Sequence, residues 1–153
     1  MKIGILTHQY IGNYGAFLQA YAAMAKAFPD DQVEIINCIN VKHFVINVGG
    51  WFRFYKDREG IKEWLRKIRI PGIFSKARKR YMTLSKVCFS AKQINKMNYD
   101  YIIVGSDEVW NFKDGKGDAK VKFGHGLTCK NLVAYAPSVG KSSANDAIPK
   151  YVE

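Results

Sequence analysis

Four short, mostly apolar runs punctuate the chain, each stopped abruptly by turn-forming residues. Lys2 to Leu6 is ended by Thr7, and Val33 to Cys38 follows a Pro-Asp-Asp turn. Asp100 to Val104 runs into Gly-Ser-Asp, and Leu132 to Ala136 ends in Pro-Ser-Gly. Runs this short with little polar alternation predict strands buried on both faces, the signature of a parallel sheet. The intervening spacing is helical. After the first run, Phe17, Leu18, Tyr21, Met24, Ala25 and Phe28 recur at three and four from a start at Tyr14, and Pro29 closes the segment. Further on, Ile61, Trp64, Leu65 and Ile68 share one helical face, with Lys62, Arg66, Lys67 and Arg69 turned away from it. Pro71-Gly72 interrupts, and Phe74, Ala77, Tyr81 and Leu84 resume the spacing. "FVINVGGWFRFY" has no clean period. A last helix is expected from Ser143 or Asn145. Strands alternating with helices predict an α/β fold with an open, mostly parallel sheet, helices on both faces, and a basic helical subregion inserted over 41–96.

Composition sharpens this picture in two places. A chain of 153 residues, 48% hydrophobic, suits a single folded domain. It holds no apolar run of about eighteen residues, and "MKIGILTHQY" lacks the hydrophobic region of a signal peptide, so the expected location is cytoplasmic. Cys38, Cys88 and Cys129 lie far apart with no CxxC or Cys/His pairing, which predicts buried reduced thiols and no metal site. The charge is uneven. Residues 41–96 hold 15 Lys and Arg against 3 acids, whereas the remainder holds 9 against 10. All the excess of the net +11 therefore sits in the inserted segment, where it favours phosphates, anionic lipid or nucleic acid without choosing among them.

In an open α/β sheet, ligands bind beyond the carboxyl ends of the strands. Three loops qualify: His8 to Tyr14, Gly105 to Asn111, and Pro137 to Gly140. In the first, "IGNYGA" is neither a GxGxxG fingerprint nor a P-loop. It offers a ligand the N-terminus of a helix, or else Asn13 is simply its N-cap and Gly15 a packing glycine. Gln19, one turn on, could face the same mouth. In the second, Gly105 lets the chain turn and delivers Ser106, Asp107 and Glu108 to the crevice, where carboxylates hold hydroxyls or move protons. Trp110 would give a sugar face an apolar platform and Asn111 a donor and acceptors; alternatively Asp107 caps the turn and Trp110 plugs the core. His8 is either an acid or base, or a hydrogen-bonded structural residue.

Taken together, "MKIGILTHQYIGNYGAFLQAYA", "YDYIIVGSDEVWN" and "KNLVAYAPSVG" resemble, in order and spacing, the amino-terminal half of the polysaccharide pyruvyl transferase family. Asn13, Tyr14, Gly15, Ala16, Leu18, Gln19 and Ala20 match its first helix start. Gly105 to Asn111 match its Gly-Ser-Asp-Gln-Val-Trp-Asn signature, with Glu108 in place of the usual glutamine, and "YAPSVG" stands for the commoner Tyr-Ala-Ala-Ser-Phe-Gly. The resemblance covers the chain except its basic middle.

It implies a Rossmann-like domain, one half of a GT-B-like two-domain fold whose carboxy-terminal domain is absent from residues 1–153. The implied activity transfers pyruvate from phosphoenolpyruvate to a sugar of a surface polysaccharide or its lipid-linked precursor, as a ketal. No cofactor or metal is expected. The resemblance makes Asp107 and His8 candidate catalytic residues, and Asn13, Tyr14, Gly15, Gln19, Ser106, Glu108, Trp110 and Asn111 candidates for substrate binding. Every arginine lies between Arg53 and Arg80, outside the three loops. The donor's phosphate and carboxylate are therefore expected to be held mainly by the missing half, and this chain alone to be inactive. The rival from another class is a non-enzymatic basic module on anionic membrane or nucleic acid. Without a nucleic-acid-binding motif in the basic segment, membrane contact is the stronger form of it.

Overall fold

The computed structural model describes residues 1–26, 30–55, 60–113, 120–143, 145–150 and 152. Strand β1 (Lys2–Leu6) leads into helix α1 (Tyr14–Lys26) and β2 (Gln32–Ile35). Helices α2 (Val41–Gly49), α3 (Ile61–Lys67), α4 (Ile70–Tyr81) and α5 (Ala91–Asn95) come next, then β3 (Tyr101–Asp107) and β4 (Asn131–Pro137). Short 3-10 turns occupy Gly50–Phe52 and Lys120–Phe123. The strands form one sheet in the order β2-β1-β3-β4, and every adjacent pair is parallel. The chain is α/β, as its apolar pattern predicts.

Side chains alternate across a strand, so each strand feeds two cores. Ile5 and Ile35 pack with Ala20 of α1 and Met82. On the opposite face Leu6, Ile36, Ile102 and Val104 pack with Ile94 of α5, Tyr99, Cys88 and Val109. Helices thus cover both faces, although α5 has only five residues and gives no periodic signal in the sequence. The segment after α4 runs beside β2, with Ile35 opposite Leu84 and Cys38 opposite Cys88.

Several expectations need correction. The unpatterned stretch around "FVINVGG" is helical, because the Asn40 side chain caps the His43 N–H at 3.0 Å and His43 turns inward. Pro71 lies in the first turn of α4, where its missing N–H costs nothing, so it opens that helix. Leu84 lies beyond the helix, paired with Ile35. The last helix is absent among the described residues: Ser143 and Asp146 instead close a turn on each other, and Pro149 comes after it. β4 is not buried on both faces. It stands at the end of the strand order, and Tyr135 is 62% exposed. Of the cysteines, Cys88 is buried, Cys38 and Cys129 are half-buried, and all three are free. Phe28 and Pro29, and the charged residues 56–59, lie outside the described residues.

The basic insertion folds back over the first loop. Phe74 of α4 packs against the rings of Tyr14 and Phe17 at 5.0 and 6.3 Å, and Arg78 donates to the Gln9 carbonyl at 3.2 Å.

Gly105 is a position where both the backbone and the neighbouring strand exclude a side chain. Its φ is +118°, and a Cβ there would run into the Tyr135 carbonyl of β4. Gly72, within α4, has open space around its missing side chain. Gly105→Ala should therefore lower the urea midpoint by the equivalent of several kcal/mol. Gly72→Ala should raise stability by roughly 0.5–1 kcal/mol. Equal effects of the two in denaturation monitored by circular dichroism would refute this account of Gly105.

Candidate functional site

Leu6 of β1 pairs with Val104 of β3, so the loops after these strands leave the same edge side by side. A polar lock holds them there: Thr7 donates to the Ser106 carbonyl at 3.1 Å, Gln19 donates to Thr7 Oγ1 at 2.9 Å, and Ser106 Oγ donates to Gln19 Oε1 at 2.6 Å. Ser106 and Gln19 are thereby committed beneath the mouth. They border a groove on the α1 side with Ile103 and Tyr135 rather than the cavities at the loop tips.

At the tips, Asp107 has φ +81°, a conformation in which a short polar side chain is tolerated. Its carboxylate accepts the Glu108 N–H at 2.8 Å, and its carbonyl accepts from Val109 and Ser138 at 2.7 and 2.9 Å. Asp107 therefore caps its turn while also bordering a cavity. Glu108 Oε2 accepts from Asn111 Nδ2 at 2.9 Å. Behind this pair stands Gly140, where a Cβ would lie 2.7 Å from both groups, so the third loop closes directly on the second.

Trp110 takes the second of its two sequence readings. Its indole N–H donates to the Lys122 carbonyl at 2.9 Å, its ring stacks on Phe123 at 5.6 Å, and it packs against the core. It offers no platform to a ligand. Tyr14 is 75% exposed, its ring against Phe74 and away from the mouth. Asn13 caps α1, accepting from Gly15 and Ala16 at 2.7 and 3.3 Å, and so absorbs the Gly15 N–H, a candidate ligand donor in the sequence.

Two cavities open at the tips. One, of about 270 Å³, is bordered by Asn13, Asn47, Asp107 and Ile11. The other, of about 180 Å³, is bordered by Lys122, Tyr10 and Asn40 among apolar groups such as Leu6, Ile39, Val109 and Val121. His8, His43, Glu108 and Asn111 border both and form the wall between them. Lys122, His43 and Asn47 are invisible to sequence reasoning that looks only at strand-ending loops, and Tyr10, although in the first of them, carries no motif that singles it out. The one usable signal is Asn40 as an N-cap, which would place His43 and Asn47 one turn apart on a helix.

His8 is held at both ring nitrogens. Lys122 Nζ lies 2.8 Å from Nδ1, and Nε2 lies 3.3 Å from the Glu108 carbonyl, which makes Nδ1 the acceptor and Nε2–H the donor. Its ring stacks on His43 at 5.4 Å, and His43 Nδ1 is hydrogen-bonded to the Tyr10 hydroxyl at 2.8 Å. Burial first, and the neighbouring Lys122 charge second, push His8 down to about 3. Burial raises Tyr10 to about 12. His8 is thus a neutral connector at physiological pH, poorly suited to the acid/base role considered for it. Among the described residues no cluster of three His, Cys, Asp or Glu side chains could hold a metal ion, and no helix is long and apolar enough to cross a membrane.

The depressed His8 pKa sets a pH window. The unfolded imidazole titrates near the ordinary 6.5 and the folded one near 3, so between these values the unfolded state binds more protons. Stability credited to neutral His8 is complete above about pH 6.5 and is lost as pH falls towards 3. In thermal melts from pH 7.5 to 4, His8→Asn should show a shallower decline than the wild type. Parallel curves would refute the assignment. No family model, curated protein or solved structure matches this chain.

Proposed function

We propose that this chain is the amino-terminal, Rossmann-like half of a GT-B-like polysaccharide pyruvyltransferase. The observation that carries the reading is the pair of adjoining cavities with Glu108 in their common wall. A reaction joining a small anionic donor to a hydroxylated acceptor needs two unlike compartments in contact. The smaller cavity is apolar with a lysine; the larger presents amides and a carboxylate.

The chemistry assigns roles to groups already in place. An acceptor hydroxyl adds to C2 of phosphoenolpyruvate while C3 takes a proton and becomes a methyl group. The C2–O bond to phosphate then breaks, phosphate leaves with the electron pair, and a second hydroxyl adds to close the ketal. Both hydroxyl protons are accounted for, one at C3 and one on a base. Asp107, the carboxylate shared with the resembled signature, borders the larger cavity and carries this proton traffic in place of His8, while Glu108, at a position where that family has glutamine, is a wall and binding residue. Asn13, Asn47 and Asn111 line the larger cavity; with the Asn13 oxygen on the helix cap, the Asn47 amide on the His43 carbonyl and the Asn111 amide on Glu108, they offer sugar hydroxyls their remaining amide N–H groups. The acceptor is a sugar of a surface polysaccharide or of its lipid-linked precursor.

The test is a transfer assay on the full-length protein carrying this chain, with phosphoenolpyruvate and saccharide acceptors, following phosphate release and the ketal methyl signal by NMR. Asp107→Asn, which keeps a short side chain able to take the left-handed backbone and to accept the Glu108 N–H, should lower kcat at least tenfold with little change in melting temperature, whereas Glu108→Gln should retain activity. Absence of transfer to any free or lipid-linked saccharide would overturn the reading.

A second reading, compatible with the first, places the basic insertion on an anionic membrane. Ile61, Leu65 and Ile73 are 69%, 43% and 58% exposed. They share the solvent side of α3 and α4 with exposed Lys62, Arg66, Arg69, Lys76, Lys79 and Arg80. Interfacial helices combine apolar anchors and cations in this way. The protein should cosediment with phosphatidylglycerol vesicles but not with phosphatidylcholine ones, and lose this on Arg66→Glu with Lys76→Glu. Tight binding to duplex DNA in place of vesicles would exclude it.

A further inference from the structure

Lys122 lies on none of the three strand-ending loops, yet it reaches the mouth of the site. It belongs to the 3-10 turn Lys120–Phe123, which two contacts bring there: the Trp110 indole donates to the Lys122 carbonyl at 2.9 Å, and the Trp110 ring stacks on Phe123. Trp110 is itself fixed to the third loop through its backbone N–H on the Ser138 carbonyl at 3.1 Å. The signature tryptophan therefore places a cation.

The setting of that cation is unusual for a surface lysine. Its ammonium is half-buried against His8 Nδ1 at 2.8 Å and borders the cavity of about 180 Å³ floored by Leu6, Ile39, Val109 and Val121. An ammonium carries three N–H donors and no acceptor, so the groups it suits best are anionic. A cation over an apolar floor is complementary to a small molecule with an anionic end and a short hydrocarbon part. The volume lies below the roughly 300–1,000 Å³ of drug-sized ligand sites, which limits the occupant to a few heavy atoms. Among the described residues lining this cavity, Glu108 also carries a charge, its carboxylate hydrogen-bonded to Asn111 Nδ2.

We infer that Lys122 is the anion anchor of the site, holding the carboxylate or phosphate of a small organic acid in the cavity it shares with His8 and Glu108. The inference rests on the proposed transferase reading only for the donor's identity: there, part of the donor is seated by this chain, and the arginine-free loops do not leave the task entirely to another domain. His8 supports the anchor by accepting a hydrogen bond from it at Nδ1 while remaining neutral, so it leaves the ammonium its charge.

Calorimetric and NMR titrations of the full-length protein with phosphoenolpyruvate, pyruvate and inorganic phosphate, in separate arms, test this directly. Lys122→Met keeps the length and apolar stem and removes the charge; Lys122→Arg keeps the charge. The methionine variant should weaken phosphoenolpyruvate binding at least tenfold, the arginine variant less than threefold, and the wild-type affinity should fall with added salt. The arm whose binding weakens least in Lys122→Met identifies the end of the donor bound elsewhere, and the arm that weakens most identifies the end at Lys122. His8 ring resonances should shift on binding in the wild type and not in Lys122→Met. Binding unchanged within twofold in folded Lys122→Met overturns the anchor, even if pyruvyl transfer is found. Lys122-dependent binding without any pyruvyl transfer upholds the anchor and removes the transferase reading.

Discussion

Parallel pairing of β1 with β3 is the constraint on which the rest depends. With Ile5 opposite Ile103 and Leu6 opposite Val104, both strands end at one level, and the two loops leaving them must share one edge. A slip of one residue would exchange the two faces of a strand, moving Leu6 or Val104 out of the core with Ile36 and Ile94. It would also move the loop tips by about 3.3 Å, enough to break the Thr7, Ser106 and Gln19 lock and the contact from His8 to the Glu108 carbonyl. The apolar register and the site geometry are therefore one fact. Gly105 completes it, since β3 can continue to Asp107 alongside β4 only where no side chain meets the Tyr135 carbonyl.

Electrostatics at the edge derive from burial. A half-buried ammonium needs acceptors, and the His8 imidazole supplies one at the cost of its own basicity. At 2.8 Å the pair cannot carry two positive charges in a medium poorer in water than the bulk, so a single charge resides on Lys122. His8 passes the constraint onward through its Nε2–H to the backbone of Glu108 and through its ring to His43 and Tyr10. The result is a hydrogen-bonded and stacked partition between two cavities, with neutral His8 at its centre and the lysine and a carboxylate bordering it.

How much of this could be read from the sequence depends on the range of the interaction. Strands and the main helices announce themselves because their apolar spacing is local, and the crevice is legible because glycine and the carboxylates sit immediately after Val104. Helix α2 escapes because Gly49, Gly50 and clustered aromatics blur its period, although Asn40 is a legible cap. The exposure of β4 depends on sheet order, which no local pattern encodes. Trp110 could be narrowed to a platform or a plug, and the choice required knowing that Lys122 and Phe123 return to meet it. Lys122 itself is 114 residues from His8 in sequence, in a stretch with no motif.

One departure in the signature gains a physical context from this arrangement. Position 108 carries glutamate where the resembled family has glutamine, which replaces an amide able to donate and accept with a group that only accepts. Asn111 Nδ2 donates to it, a bond that either residue could take, so the geometry alone does not require the charge. The Glu108 carboxylate lies against Gly140, where an added Cβ would meet it at 2.7 Å, and this exposed charge borders both cavities. A carboxylate there opposes an incoming anion unless a cation stands nearby. Lys122 borders the same cavity, so in the proposed reading its charge offsets that of Glu108 for an anionic ligand.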